Sequence, residues 1–127
     1  MTKNIDPFLE KMKIWAGKEN SIKAIGIVGS YARGTARDES DIDLVILCDA
    51  YEQYLNDFEW IEQFGFYSKK EIEDWGGVIS VRVYFNFCET EFGFGHISWA
   101  NTKPIDEGTL EVVSDGMKII YDPNHIL

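Results

Sequence analysis

Two aspartates one residue apart, Asp41 and Asp43, follow a Gly29-Ser30 pair, with ten residues between Ser30 and Asp41. These residue types suit a phosphate-and-metal site. A glycine lets backbone amides approach an anion closely, and a serine adds a hydroxyl to the same cradle. If Asp41 and Asp43 lie on a strand, positions i and i+2 face the same way, which sets the two carboxylates side by side. Two unpaired anions at that spacing repel each other. A hard divalent cation relieves them, and Mg²⁺ is commonly held by one or two carboxylates plus substrate phosphates. An acid-rich turn, here Asp38-Glu39-Ser40-Asp41, also commonly precedes an ordinary solvated strand. The Gly-Ser pair at short range favours the chemical reading, because one local unit then supplies both cradle and ligands.

The elements around the motif fit that placement. Ala24, Ile25, Ile27 and Val28 read as a buried strand that ends at Gly29, with a short helix starting there. Leu44-Val45-Ile46-Leu47 reads as a second buried strand, with Ile42, Leu44 and Ile46 pointing away from the aspartates. Further on, Val78 to Phe87 alternates like a strand, and after Cys88 a second run, Glu89 to Ile97, completes an expected hairpin. In that run Glu91, Gly93 and Gly95 share one face and Phe92, Phe94 and His96 the other. Glycine weakens a strand, so glycines next to a carboxylate suggest that a substrate comes close there. Glu89 shares the face of Glu91 and is expected at the hairpin turn, where an exposed acid needs no functional role.

Gly29-Ser30, the intervening Tyr31-Ala32-Arg33-Gly34-Thr35-Ala36, and Asp41-Ile42-Asp43 together resemble the signature of the nucleotidyltransferase superfamily with the DNA polymerase beta-like catalytic fold, and within it the minimal nucleotidyltransferases. The resemblance covers about a fifth of the chain. It implies a single α/β (α+β) catalytic domain over residues 1–127, with a mixed β-sheet of about five strands and helices packed on one face. It also implies Mg²⁺-dependent transfer of a nucleoside monophosphate from an NTP, ATP being the expected one, to an acceptor hydroxyl with release of pyrophosphate. Asp41 and Asp43 would hold two Mg²⁺ ions, and Gly29 and Ser30 would bind the terminal phosphates. The family uses a third carboxylate from a later strand. Glu91 is the candidate, as metal ligand or as base for the acceptor, and it stands where many relatives have Asp.

Arg33 either meets the triphosphate or balances nearby acids, and Arg37 is in the same position. Arg82 alternates with Ser80, Tyr84 and Asn86. An aligned hairpin would bring it to the carboxylates, where it would neutralise them in the metal-free state. His96 reads as a core or hydrogen-bonded histidine, and His125 lies near the terminus.

The chain has 127 residues, 45% of them hydrophobic, with 8 Phe, 6 Tyr and 4 Trp, enough for one core without disulfides. Cys48 and Cys88 each end an apolar run and read as small buried thiols. No secretory, lipidation or membrane-spanning pattern is legible, so a cytoplasmic location is expected. The net charge of -10 disfavours nucleic-acid acceptors, because Lys and Arg contacts to phosphate normally dominate such binding. It suits a cationic small molecule or a protein acceptor. Loops, a homodimer or another protein, such as a helical partner, would then supply acceptor recognition. The alternative is an antitoxin-like or regulatory nucleotide-binding module acting through a helical protein partner. A catalytically inactive relative is disfavoured by the intact Asp41, Asp43 and Glu91.

The remaining elements are scaffold. Asp6-Pro7 predicts a helix N-cap and first turn, followed by a stripe of Phe8, Leu9, Met12, Trp15 and Ala16 that stops at Gly17. Residues 51–64 predict one helix stopped by Gly65. Phe66 to Gly77 reads as a solvated loop carrying Lys69-Lys70. Asp106 to Asp122 predicts a short helix, an Asp115-Gly116 turn and a final edge strand from Met117 to Tyr121.

Overall fold

The computed structural model describes residues 5–33, 40–49, 51–74, 78–96 and 118–123. The chain runs α1 (Asp6–Lys18), β1 (Ile22–Val28), α2 (Ser30–Arg33), β2 (Ile42–Cys48), α3 (Glu52–Asn56), α4 (Glu59–Glu62), β3 (Tyr67–Asp74), β4 (Val78–Phe85), β5 (Glu89–His96) and β6 (Lys118–Tyr121). The strands form one mixed sheet in the order β3-β4-β5-β2-β1-β6. Of its pairings, only β2 with β5 is parallel.

The alternation in β2 and β5 acts as predicted. Ile42, Leu44 and Ile46 enter the core from β2, Phe92 and Phe94 from β5, and Val81 and Val83 from β4. The described helices cover that face. Phe8 of α1 meets Phe92 with ring centroids 6.3 Å apart. Tyr54 of α3 stacks on Phe94 at 5.4 Å, and Trp60 of α4 stands edge-on to Phe92 at 5.0 Å and stacks on Trp15 at 5.2 Å. Burying a large apolar side chain contributes roughly 1.5–3 kcal/mol, and edge-to-face aromatic pairs add about 0.5–1.5 kcal/mol. This packing clamps β5 from behind and leaves its other face for chemistry. Polar ends of the cluster are satisfied: Trp60 Nε1 donates to the Tyr54 carbonyl at 2.9 Å, and the Tyr54 hydroxyl donates to Glu19 at 2.9 Å.

The sheet has six strands where about five were expected, and the additional one is β3, in the segment read as a loop. β3 is an edge strand exposed on both faces, so no alternation of apolar and polar residues marks it; Ile72 itself is 53% exposed. The helix expected over residues 51–64 is two short helices instead. Asp57 takes an extended conformation between them and accepts the Glu59 amide at 3.0 Å, so its side chain offers the backbone an alternative to continuing the helix. At the N-terminus the cap is Ile5, with Asp6 already inside α1 and no side-chain capping bond. Gly17 does not stop α1, which continues to Lys18. Gly65 does follow α4, at φ +147°. β6 borders β1 at the sheet edge as expected, and Cys48 and Cys88 are buried thiols outside any disulfide. The helix expected from Asp106, the Asp115-Gly116 turn, Arg37, His125 and the side chains of Arg33 and His96 lie outside the described residues.

Candidate active site

The register aligns the functional side chains in one row. Val28 of β1 pairs with Asp43 of β2, Asp43 with Glu91 of β5, Glu91 with Arg82 of β4, and Arg82 with Glu71 of β3. Directly opposed residues share a face, so this rung carries Asp43, Glu91, Arg82 and Glu71 across the side of the sheet opposite the aromatic core. The row lies where β2 and β5 begin and β1 ends, so the loop after β1 returns to it.

Gly29 makes that return. Its φ is +77°, and a Cβ placed there would lie 2.8 Å from Asp43 Oδ2. Both the left-handed backbone and the space require glycine, and the backbone turn rests directly on the carboxylate. Ser30 opens α2 immediately afterwards, and Arg33 closes it. Asp41 stands just before β2, its side chain 43% exposed, with Oδ2 3.5 Å from Arg82 Nη1.

Arg82 is the hub of this face. Nη2 donates to Glu91, Nη1 to Glu89, and Nε to Glu73 at 3.3 Å. Burial opposes its charge, but the charge of Glu91 and the hydrogen bonds that Arg82 donates to Glu73 and Glu89 outweigh that and raise its pKa. Among the described residues Asp43 has no such partner. Burial, then the charges of Glu91 and Asp41, push its carboxyl up from an ordinary 3.8 to about 6, against a smaller opposing effect of Arg82. A half-buried carboxylate beside other carboxylates is the electrostatic pattern of a site that takes a cation.

Asp41, Asp43, Glu91, Gly29 and Ser30 are therefore gathered at one place, and Arg82 reaches the carboxylates as the hairpin alignment predicted. Three residues of the arrangement, Glu71, Glu73 and Glu89, were not assigned to it from sequence. Glu89 opens β5 rather than occupying a turn, and its shared parity with Glu91 was the available signal. Glu73 lies in β3, whose strand character the sequence did not show. Among the described residues, no three His, Cys, Asp or Glu side chains form a ready metal site.

The fold is that of nucleotidyltransferases of the DNA polymerase beta-like type. Residues 10–89 match the nucleotidyltransferase domain family, and the chain belongs to it. A Methanocaldococcus jannaschii protein with the provisional name protein adenylyltransferase is 34% identical over 64 residues, which is 46% of this chain and 64% of that protein. Among solved structures, an aminoglycoside 6-adenyltransferase from Bacillus subtilis superposes with a TM-score of 0.57 at 16% identity, over 74% of this chain and 36% of that one. A cytoplasmic RNA terminal U-transferase superposes with a TM-score of 0.52 at 18% identity, over 90% of this chain and 35% of that one. The chain thus spans about a third of these structural neighbours, and they share its fold.

Proposed function

We propose that the protein transfers a nucleoside monophosphate from an NTP, ATP in the first instance, to a hydroxyl of an acceptor, with release of pyrophosphate. The observation that carries this reading is the seating of the Gly29 turn against Asp43 while Asp43 lies in register with Glu91. A phosphate-approach loop and carboxylates from neighbouring strands then meet at one point. The donor set suits Mg²⁺: all are hard oxygens, and Asp41 and Asp43 with substrate phosphates match the usual division of ligands for that ion. Two Mg²⁺ ions, when bound, stabilise the charge on the attacking and leaving oxygens.

The rest of the mechanism falls to the chain's own groups. The backbone after Gly29 and the Ser30 hydroxyl bind the terminal phosphates, and Arg33 at the end of α2 is the candidate side chain for the same anion. Asp43, together with Asp41, would hold the divalent cation that accompanies the triphosphate, its own charge disfavoured by burial and by the neighbouring acids until that cation is there. Glu91 serves the acceptor side, as ligand or as the base that takes the hydroxyl proton. A protein hydroxyl is the favoured acceptor class, supported by the provisional name of the M. jannaschii relative, with a small cationic molecule second. The net charge of -10 argues against nucleic acid as acceptor.

Calorimetric titration of non-hydrolysable ATP, GTP, CTP and UTP analogues, with and without Mg²⁺, tests the reading on wild type and the Asp41→Asn/Asp43→Asn double variant. The expected result is binding that needs Mg²⁺ and vanishes in the double variant. Binding that is indifferent to both metal and variant, or no binding at all, overturns it.

A further inference from the structure

Arg82 sits at the centre of the charged face and engages four carboxylates from separate places in the fold. Glu91 and Glu89 come from β5, Glu73 from the edge strand β3, and Asp41 from the entry to β2. Among the described side chains no other Lys or Arg pairs with any of these four; Lys69, on the same face, pairs with Glu71 at 3.1 Å. The Arg82 side chain is 21% exposed and that of Glu91 19%, so solvent screens this contact less than a surface pair. A guanidinium is a rigid planar fork that stays protonated in proteins. Arg82 therefore cannot let go of its acids by losing a proton. Only another cation that competes for the same oxygens releases them.

We propose that Arg82 is a positioning residue that stands in for a metal ion, holding Glu91 and Glu89 until a divalent cation arrives and takes Glu91 from it. This rests on the nucleotidyltransferase reading above and adds an ordering to it. Asp41 and Asp43, of which Arg82 only approaches Asp41, are open to the first cation. Glu91 joins afterwards, at the cost of its contact with Nη2. One cation among four acids leaves the face strongly negative, so the exchange for a doubly charged ion is electrostatically downhill.

The test uses Mn²⁺ alone, with free ion followed by electron paramagnetic resonance and thermal unfolding followed with and without the ion. The proteins are wild type, Arg82→Gln, Arg82→Lys and Lys69→Gln. Arg82→Gln is expected to bind Mn²⁺ roughly tenfold tighter, the equivalent of about 1.4 kcal/mol, while its Tm without metal falls. Arg82→Lys, which keeps the charge but loses the fork, is expected between the two. Lys69→Gln removes the same charge from the same face without touching Glu91 and is expected to leave Mn²⁺ affinity within about twofold of wild type. Unchanged or weaker Mn²⁺ binding in both Arg82 variants overturns the proposal, as does an equal gain in Lys69→Gln, which would reveal a general field effect. Those outcomes leave the catalytic reading standing. Mn²⁺ binding by none of the four proteins overturns the metal-dependent reading, and this proposal with it.

Discussion

The two faces of the central sheet are built from the same three strands and obey opposite rules. On one face β2, β4 and β5 present Ile42, Leu44, Ile46, Val81, Val83, Phe92 and Phe94, all buried and packed under the helices. On the other they present Asp43, Arg82 and Glu91, one residue out of phase. The packed face is over-determined: rings from α1, α3 and α4 converge on Phe92 and Phe94. Among the described residues the charged face is under-satisfied, with one guanidinium among several acids and the Asp43 carboxyl raised to about 6. The contrast shows how a small domain holds repelling charges at fixed positions. The energy of the apolar side locks the strands, and the unfavourable electrostatics are tolerated because the backbone cannot move to relieve them.

Breaking the charged face should remove activity and spare the fold. Asp43→Asn is expected to lower metal-dependent nucleotidyl transfer by on the order of 10³-fold or more, the scale of losing a main electrostatic group of a site, while circular dichroism and Tm in the absence of metal stay at or above wild type. A variant with near-normal turnover would sink the assignment of Asp43.

Breaking the packed face should do the reverse. Phe92→Ala, at a fully buried position, is expected to cost about 3–5 kcal/mol in denaturant unfolding, in line with large-to-small aromatic substitutions in cores. Its catalytic acids are untouched, so residual activity should follow the folded fraction. A cost under about 1 kcal/mol would show that the aromatic clamp on β5 is not what holds the row of acids.

The faces should also separate by pH. Asp43 is raised in the fold from an ordinary 3.8 to about 6, so the folded state binds its proton more tightly than the unfolded chain does. Its contribution is most favourable below about 3.8 and is lost as pH rises to about 6. The stability of wild type relative to Asp43→Asn should therefore decline between pH 4 and 6.5 without metal, and added Mg²⁺ should reverse part of that decline above pH 6. A difference that is flat across this window would remove the electrostatic account of Asp43.

The smallest effect belongs to a polar atom on the packed side. Thr90 pairs with Ile42 and Val83, is fully buried, and has no hydrogen-bond partner for its Oγ1 among the described residues. Replacing it with valine should stabilise the protein by about 1 kcal/mol, the typical cost of leaving a buried hydroxyl unpaired. A loss of stability would indicate that the hydroxyl has a partner after all.

Legibility from the sequence followed the same division. Strands buried on one face announce themselves by alternation, so β2, β4 and β5 could be read together with the side on which Asp43 and Glu91 stand. β3 could not, because an edge strand exposed on both sides carries no such signal, and the acid it contributes, Glu73, went with it. The break between α3 and α4 at Asp57 was hidden by an apolar pattern that continues across both helices.

What the sequence by itself determined was the set of candidate residues: a glycine turn, two aspartates at i and i+2, and a later glutamate on the same parity, all from local spacing that holds wherever the strands lie. The tertiary structure alone decided that β5 runs parallel to β2, so that Asp43 and Glu91 become direct neighbours, and that Arg82 gathers Glu91, Glu89, Glu73 and Asp41. Strand order and pairing direction are set by which apolar faces pack best against one another across the whole core, and no local stretch of residues contains that sum.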